Sequence, residues 1–232
     1  MTTVAVLQPG YLPWLGFFDQ LARADIFVIY DDVQFDKHGW RNRNRIKTAQ
    51  GIQWLTVPVK VAGRFGQRNS EVEIDNRQPW ARKQLTAIRL AYSKSRYFSD
   101  YFPAIEALLS QPWQRLIDLD LALIRYGMQC LQLATRLELA SSLGIAGERS
   151  ERLVNFCRHF AADRYLTGDA AMNYLDLGLF DAQSIAVEWQ HYSHPVYSQL
   201  HGEFEPYLSI LDLLFNCGPD SRAILTATAE KS

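Results

Sequence analysis

Candidate acid–base side chains occur at two positions in the sequence. Asp31 and Asp32 directly follow the apolar segment 26–30, and such paired carboxylates can bind Mg²⁺ or orient a hydroxyl or amine. His194 lies in a polar loop, and its imidazole can act as general acid or base because its ordinary pKa is near neutrality. Each has a structural alternative, in which an aspartate caps the following turn or the histidine only completes its loop.

The segment 37–47 carries five cations among asparagines and one tryptophan. Arginine side chains bind phosphate or carboxylate through two parallel hydrogen bonds, so the segment is a candidate anion site. The candidate ligands are Arg41, Arg43, Asn44 and Lys47. A solvated charged face is the alternative. Nucleic acid would use the same chemistry, but 24 Lys and Arg against 25 Asp and Glu lack the basic excess of most nucleic-acid-binding proteins.

Two further segments have weaker signals. Residues 8–13, QPGYLP, form a glycine-containing turn before a predicted helix, where backbone N–H groups and the helix dipole favour an anion. The turn has neither a GxGxxG nor a Walker motif, so a purely structural turn explains it equally well. His191, His194 and His201 are close enough in sequence to suggest zinc, but no cysteine or carboxylate completes the ligand set. We therefore predict no metal site.

The elements that must position these residues follow an α/β pattern. Short apolar runs predict parallel strands at 4–7, 26–30, 137–142, 164–167 and 184–189, and helical spacing predicts helices at 13–23, 150–160, 172–180 and 203–215. Residues 31–76 are predicted to form a hairpin-like insertion with two or three short antiparallel strands, including 54–59 and 71–74. Residues 80–136 read as three helices divided at Pro103 and Pro112.

We therefore expect one Rossmann-like, doubly wound α/β domain over residues 1–232, with a mostly parallel five-stranded sheet. Its core would comprise 1–31 and 137–218, and an insertion at 32–136 would form an antiparallel hairpin followed by helices. In the simplest winding the first strand is central and the second half extends the sheet beside it. Ligands of such sheets bind outside the carboxyl ends of the strands, where the winding reverses. That rule selects residues 8–12, 31–34, 168–174 and 190–199.

Composition predicts a soluble cytoplasmic protein. The chain has three cysteines, an odd number, and they are widely spaced and form no CxxC motif: Cys130, Cys157 and Cys217. This pattern indicates reduced thiols. The N-terminal residues lack the basic and apolar regions of a signal peptide, and no apolar run is long enough for a membrane helix. The oligomeric state is left open.

Several blocks in fixed order resemble the WbqC-like protein family over nearly the whole chain. They are QPGYLPW at 8–14, DDVQ at 31–34, NRNRIK at 42–47, WLTVPV at 54–59, YLTG at 165–168, NYLD at 173–176, HPVY at 194–197 with Gln199, and LSILDLLFN at 208–216. A series of blocks is far more specific than any one of them. The family is common in gene clusters for surface polysaccharide, including O-antigen.

The resemblance implies a small-group transferase or amide-forming ligase, which joins an acyl or aminoacyl unit to an amine of a nucleotide-linked sugar or carrier-bound intermediate. His194 would be the acid or base, Asp31 and Asp32 would orient the amine or a metal, and the cations of 41–47 would hold phosphate or carboxylate. The remaining pocket residues would be Gln8, Tyr11, Gly168, Asn173, Tyr174, Tyr197 and Gln199. The alternatives are an adenylating enzyme that uses ATP and Mg²⁺, and a non-catalytic binding subunit. No cofactor is required by the sequence, and neither nucleic acid nor a membrane is an expected partner.

Overall fold

The computed structural model describes residues 1–37 and 39–227 and has an α/β architecture, as the sequence predicts. In chain order the strands are β1 (Thr3–Leu7), β2 (Ile26–Ile29), β3 (Arg43–Thr48), β4 (Gly51–Thr56), β5 (Arg136–Leu139), β6 (Arg164–Thr167) and β7 (Ala186–Trp189). Five of them form an all-parallel sheet in the order β5–β2–β1–β6–β7, and β3 and β4 form a separate antiparallel pair. The expected division into a core and an insertion stays a prediction.

Strand β1 is central, as expected, because Val4 pairs with Ile26 of β2 and Thr3 pairs with Arg164 of β6. The second half of the chain extends the sheet beside β1 through β6 and β7. The same expectation is wrong for β5, which pairs with the outer side of β2. Thr135 donates to the Leu21 carbonyl oxygen at 2.6 Å, so the chain re-enters the sheet next to β2.

Strand β2 is apolar along its whole length because both faces of the sheet are covered there. Successive side chains of a strand point to opposite faces. In β2, Phe27 and Ile29 pack in one hydrophobic cluster, whereas Ile26 and Val28 pack in the cluster on the other face. The continuous apolar run in the sequence therefore reflects two separate layers of packing.

The helices are α1 (Leu15–Arg23), α2 (Trp80–Tyr92), α3 (Phe98–Leu109), α4 (Leu116–Cys130), α5 (Ala140–Leu143), α6 (Arg149–His159), α7 (Leu177–Asp181), α8 (Ile210–Cys217) and α9 (Ser221–Thr226). Pro112 separates α3 from α4, as predicted. The prediction that Pro103 ends a helix is wrong, because Pro103 lies inside α3. The break before α3 falls at residues 93–97 instead.

Three other predicted elements differ from the structure. The strand expected at 137–142 ends at Leu139, where α5 begins. The helix expected at 172–180 is a 3₁₀ turn over Asp169–Asn173 followed by α7. The helix expected from 203 begins only at Ile210, because the Ser209 side chain accepts a hydrogen bond from the Leu211 N–H and so caps α8.

The segment 71–74 is not a strand, although the predicted hairpin exists. Arg43 pairs with Thr56 and Thr48 pairs with Gly51, so the hairpin comprises β3 and β4. Of residues 71–74, Ile74 makes an isolated bridge to Val59, and Glu71 ends a short 3₁₀ turn. The hairpin, α2, α3, α4 and α8 enclose another hydrophobic cluster, into which Tyr11 and Leu12 of the first turn insert.

Over the described residues, no helix combines the length and the apolar character needed to traverse a bilayer.

Candidate active site

A cleft opens at the carboxyl ends of β1 and β6. It consists of two adjoining cavities of about 400 Å³ each, which share five lining residues. The shared residues are Leu7, Gln8, Arg41, Gly168 and Ala170. The chain winds from β1 towards β2 on one side and returns to β6 on the other, so the cleft lies where the winding reverses. This is the place at which ligands bind in open parallel sheets.

The first cavity, here called the aromatic lobe, is walled by exposed and half-buried rings. Its other lining residues are Gly10, Pro13, Trp14, Gly16, Phe17, Gln20, Trp40, Asn44, Asp169, Gln190, Tyr192 and Tyr207. The Trp14 ring meets the Tyr192 ring edge-on at a centroid distance of 4.9 Å and lies 5.6 Å from the Tyr207 ring. Flat rings beside buried amides can hold a planar or cyclic polar ligand by packing and by hydrogen bonds.

The floor of the aromatic lobe is a buried chain of amides. Gln190 Nε2 donates to the Gly16 carbonyl oxygen and to Asp19 Oδ2, at 2.8 Å each. Gln190 Oε1 in turn accepts a hydrogen bond of 2.7 Å from Gln20 Nε2. Arg23 lies beneath this chain and donates to the Gln190 carbonyl oxygen at 2.8 Å. Burial raises the pKa of the Asp19 carboxyl, and the hydrogen bond from Gln190 opposes that shift.

The second cavity, here called the tyrosine lobe, has a different lining. Its other residues are Val6, Tyr30, Arg149, Leu153, Tyr165, Thr167, Ala171 and Tyr174. Tyr165 is buried and stacks on Phe180 at a centroid distance of 5.1 Å, whereas Tyr174 is 70% exposed. Arg149 is exposed at the start of α6. The lobe therefore combines hydroxyl groups with a cation at its edge.

Arg41 lies at the junction of the two lobes. Its Nη1 donates to the Pro9 carbonyl oxygen at 2.8 Å, which holds the guanidinium against the turn 8–13. Its Nε is buried and, among the described residues, has no hydrogen-bond partner. Burial lowers the pKa of the Arg41 guanidinium, and the carboxyl groups of Asp120 and Asp36 act in the opposite direction. An arginine remains charged under such a shift, so Arg41 is a cation in the cleft.

The model of the WbqC-like protein family matches residues 8–224. The chain belongs to the WbqC-like protein family. It is also 42% identical over 223 residues to the uncharacterized protein Rv1507c of Mycobacterium tuberculosis (strain ATCC 25618 / H37Rv), a match that covers 95% of this chain and 96% of that protein. No solved structure matches the chain at a significant level.

Several predicted site residues of this WbqC-like chain do line the cleft: Gln8, Arg41, Asn44, Gly168 and Tyr174. Asn44 has a supporting role there, since its Nδ2 donates to the carbonyl oxygens of Tyr11 and Leu12 at 3.2 and 2.7 Å. A Cβ added at Gly168 would lie 3.4 Å from Gln20 Nε2, so the end of β6 lies directly beside the amide floor.

The paired aspartates do not line either lobe. Asp31 is buried and accepts hydrogen bonds from the Ser141 N–H at 2.9 Å and from the Ser141 hydroxyl at 2.6 Å. Asp32 accepts two hydrogen bonds from the Arg152 guanidinium, at 3.1 and 2.5 Å. These contacts tie the end of β2 to α5 and α6. They are long-range structural contacts, not the cap of the following turn that the sequence offers as the alternative, and a role of the pair in catalysis stays a prediction.

The other described cations of the basic segment do not line the cleft, and His38 lies outside the described residues. The Arg43 guanidinium lies 4.7 Å from the centre of the Trp54 ring. Lys47 is buried, and its Nζ donates to Gln199 Oε1 at 3.2 Å and to the Glu203 carbonyl oxygen. Gln199 also exchanges hydrogen bonds with the backbone of Glu205, so it holds its own loop.

The three histidines of the 191–201 segment have separate surroundings. His194 is half-buried against the rings of Tyr192, Tyr197, Phe204 and Tyr207, so it lies behind the wall of the aromatic lobe. Burial lowers the pKa of its imidazole. His201 Nε2 lies 2.7 Å from the Ala91 carbonyl oxygen. Within the described part of the chain, no group of three or more His, Cys, Asp or Glu residues is placed to hold a metal ion.

Three other predicted residues also lie outside the cleft lining. Tyr11 is fully buried, and its hydroxyl donates to Gln84 Oε1 at 2.6 Å. Tyr197 is buried within the ring cluster around His194, and Asn173 is exposed. Their roles in substrate binding stay predictions.

Sequence reasoning missed the amide floor and the pair of Asp169 and His191. Asp169 lines the aromatic lobe, and its Oδ1 accepts from the His191 N–H at 3.0 Å and lies 3.3 Å from His191 Nδ1. A signal for the floor was available in the sequence, because Asp19 and Gln20 interrupt the otherwise apolar stretch 15–22. The structure shows that both are buried. Buried polar side chains inside an amphipathic helix usually have a specific partner.

Proposed function

We propose that this WbqC-like protein is a small-group transferase or ligase that joins an acyl or aminoacyl unit to an amine of a nucleotide-linked sugar. The observation that carries the proposal is the position of Arg41, a half-buried cation that lines both lobes and whose buried Nε has no partner among the described residues. A phosphate or carboxylate bound there would receive charge-assisted hydrogen bonds. The ring-shaped part of the ligand would then occupy the aromatic lobe.

Proton transfer in this proposal falls to His191 rather than to His194. Acyl transfer forms a bond between the amine nitrogen and the acyl carbon, breaks the bond to the leaving group, and releases a proton from the amine. A histidine with Nδ1 held by a carboxylate can accept that proton at Nε2. His191 has such a carboxylate in Asp169, which lines the aromatic lobe, whereas His194 lies behind Tyr192 and Tyr207.

A nucleotide-linked substrate also places the protein in the cytoplasm in this proposal. That location agrees with Cys130, Cys157 and Cys217, which are all free of disulfide bonds.

The test is calorimetric titration of the purified protein with UDP-glucosamine, which carries a free amine, UDP-N-acetylglucosamine, acetyl-coenzyme A, and ATP with Mg²⁺. We expect a nucleotide-linked sugar to bind. Arg41→Ala should then weaken binding by about 10- to 150-fold, which corresponds to the roughly 1.5–3 kcal/mol of a hydrogen bond to a charged group. Arg41→Lys should recover part of the affinity, because an ammonium group lacks the planar pair of donors.

The control is Arg125→Ala, which removes an exposed arginine of α4. Its affinity should stay within about threefold of that of the unmodified protein. Equal affinity in the unmodified protein and Arg41→Ala would contradict the proposal, as would no binding of any nucleotide-linked sugar. Binding of ATP with Mg²⁺ alone would favour the adenylating alternative, and binding without turnover of any acyl donor would favour a binding subunit.

A further inference from the structure

Besides Arg41 Nε, two buried polar atoms of residues that line the aromatic lobe lack a hydrogen-bond partner among the described residues. They are Gln20 Oε1 and the Tyr192 hydroxyl oxygen, and both residues line this lobe. Gln20 is only 4% exposed. Buried polar atoms are almost always paired, so two unpaired ones in one cavity indicate that something absent from the protein chain completes them.

The amide of Gln20 has a fixed orientation. The Gly16 carbonyl oxygen can only accept, so the group that Gln190 directs at it must be the NH₂ group. Gln190 Oε1 then faces Gln20 and must accept, which makes the Gln20 group at 2.7 Å the donor Nε2. The remaining atom of the Gln20 amide is therefore an oxygen. Gln20 Oε1 can therefore pair with a hydrogen-bond donor of a ligand, whereas an acceptor atom of the ligand placed there would stay unpaired.

We propose that Gln20 Oε1 accepts a hydrogen bond from an N–H or O–H group on the ring that occupies the aromatic lobe, and that Gln190 is the positioning residue that orients Gln20. The Tyr192 hydroxyl completes the subsite by bonding to a polar atom next to that donor. This inference rests on the proposed function only in taking the aromatic lobe as the place of the ligand's ring.

The ring walls and the amide together define the ligand's chemistry. Trp14, Trp40 and Tyr207 present apolar ring surfaces, and Trp40 and Tyr207 are 40% and 47% exposed. A flat or cyclic molecule with polar groups at its edge fits such a lobe. Two parts of a nucleotide-linked sugar have this character: a sugar ring with hydroxyl or amino groups, and a nucleobase with a ring N–H.

The experiment uses two pairs of phosphate-free probes, so that Arg41 is not required for binding. The first pair is glucosamine and 2-deoxyglucose, which lacks the donor at carbon 2. The second pair is uridine and N3-methyluridine, which lacks the ring N–H. Binding is followed by the fluorescence of the protein's tryptophans, two of which, Trp14 and Trp40, line the lobe. The pair that the protein discriminates identifies which ring occupies the lobe.

We expect the unmodified protein to bind the donor-bearing member of one pair at least about tenfold more tightly than its analogue, since a site built to pair with a donor rejects a ligand without one. Gln20→Met keeps the length of the side chain but removes the acceptor, so the two members should then bind within about threefold of each other. Gln190→Met should also reduce the discrimination, because the Gln20 amide loses its orienting acceptor. A general loss of packing would lower both affinities and leave their ratio unchanged.

The matched control is Gln84→Met, which changes another buried glutamine that contacts Tyr11 and lies outside the cleft. Its discrimination should equal that of the unmodified protein. Discrimination that persists in both Gln20→Met and Gln190→Met would overturn the inference, as would an unmodified protein that binds no probe or binds both members of each pair equally. Failure of the proposed function alone would appear differently, as discrimination between probes without any Arg41-dependent binding of a nucleotide-linked sugar.

Discussion

At Asp31 the role that the sequence suggests differs most from the role that the structure shows. In the sequence it is half of an acidic pair at the end of a strand, a place where catalytic carboxylates are common. In the structure its two oxygens accept hydrogen bonds from Ser141, which is 110 residues away in the chain. Both contacts hold α5 against β2, so we expect Asp31 to act mainly on stability.

Asp31→Ala should lower the free energy of unfolding by about 1–3 kcal/mol, because the Ser141 N–H and hydroxyl lose a buried charged acceptor. Asp31→Asn keeps one acceptor oxygen and should lose less. The measurement is urea unfolding followed by circular dichroism. The control is Asp181→Ala at an exposed position, for which a change within about ±0.5 kcal/mol is expected. If Asp31→Ala is as stable as the control but fails to bind the ligand of the cleft, the catalytic interpretation returns.

The hairpin of β3 and β4 separates cations that are neighbours in the sequence. Side chains alternate between the two faces of a strand, so Asn44 and Ile46 point into the core while Arg43 and Arg45 stay half-buried on the opposite face. Arg45 donates to the Tyr207 carbonyl oxygen at 3.1 Å. Only Arg41, which precedes the strand, lines the cleft among the five cations of 37–47 in the described structure.

Lys47 connects this hairpin to the loop that follows β7, and we expect its loss to affect stability. Lys47→Met would remove the donors to Gln199 and to the Glu203 carbonyl oxygen. The free energy of unfolding should fall by about 1.5–3 kcal/mol, the range for hydrogen bonds to a charged group. Amide hydrogen exchange of residues 199–205 should become faster, because the loop loses its anchor.

Lys94→Met is the control for this change, because Lys94 is exposed at the end of α2. It should alter neither unfolding nor hydrogen exchange in the loop. Unchanged stability of Lys47→Met together with lost ligand binding would instead support the anion-binding role that the sequence suggests.

For the whole molecule, three buried aspartates link stability to pH. Burial raises the pKa of Asp19, Asp120 and Asp212. The pKa of Asp120 is raised well above its ordinary range, and its two oxygens have no hydrogen-bond partner among the described residues. A raised pKa means that the folded state holds its proton more tightly than the unfolded state. The contribution to stability is therefore present below the ordinary aspartate pKa and is lost as pH rises towards the folded-state pKa.

Asp120→Asn should reduce this loss, because an amide keeps the shape of the carboxyl without a proton to release. We expect the variant to unfold at a higher temperature than the unmodified protein near pH 8, with a smaller difference near pH 4. Thermal unfolding across that pH range measures it, with Asp181→Ala as a control that should follow the unmodified protein. A variant that is less stable than the unmodified protein at pH 8 would show that Asp120 is ionised and stabilises Arg41.

The sequence by itself determined the five parallel strands, most of the helices between them and the edge of the sheet at which a cleft forms. Apolar runs such as 26–29 and helical spacing such as 15–23 are local patterns, and burial of one face or both faces follows from them directly. The reversal of winding beside β1 then locates Gln8 and Gly168 at one edge. Helix starts were less predictable: Ser209 caps α8 through a local contact with Leu211, whereas α5 begins where Ser141 donates to Asp31, 110 residues away in the chain.

Tertiary structure decided which polar residues line the cleft and which hold the fold together. Gln20 meets Gln190 across 170 residues of chain, and Lys47 meets Gln199 across 152. The type of each residue shows which hydrogen bonds it can form, but the neighbouring sequence does not show which distant residue is its partner. A carboxylate, an amide or a cation becomes a cap, an anchor or a ligand-binding group only when the fold places another group within hydrogen-bond distance of it.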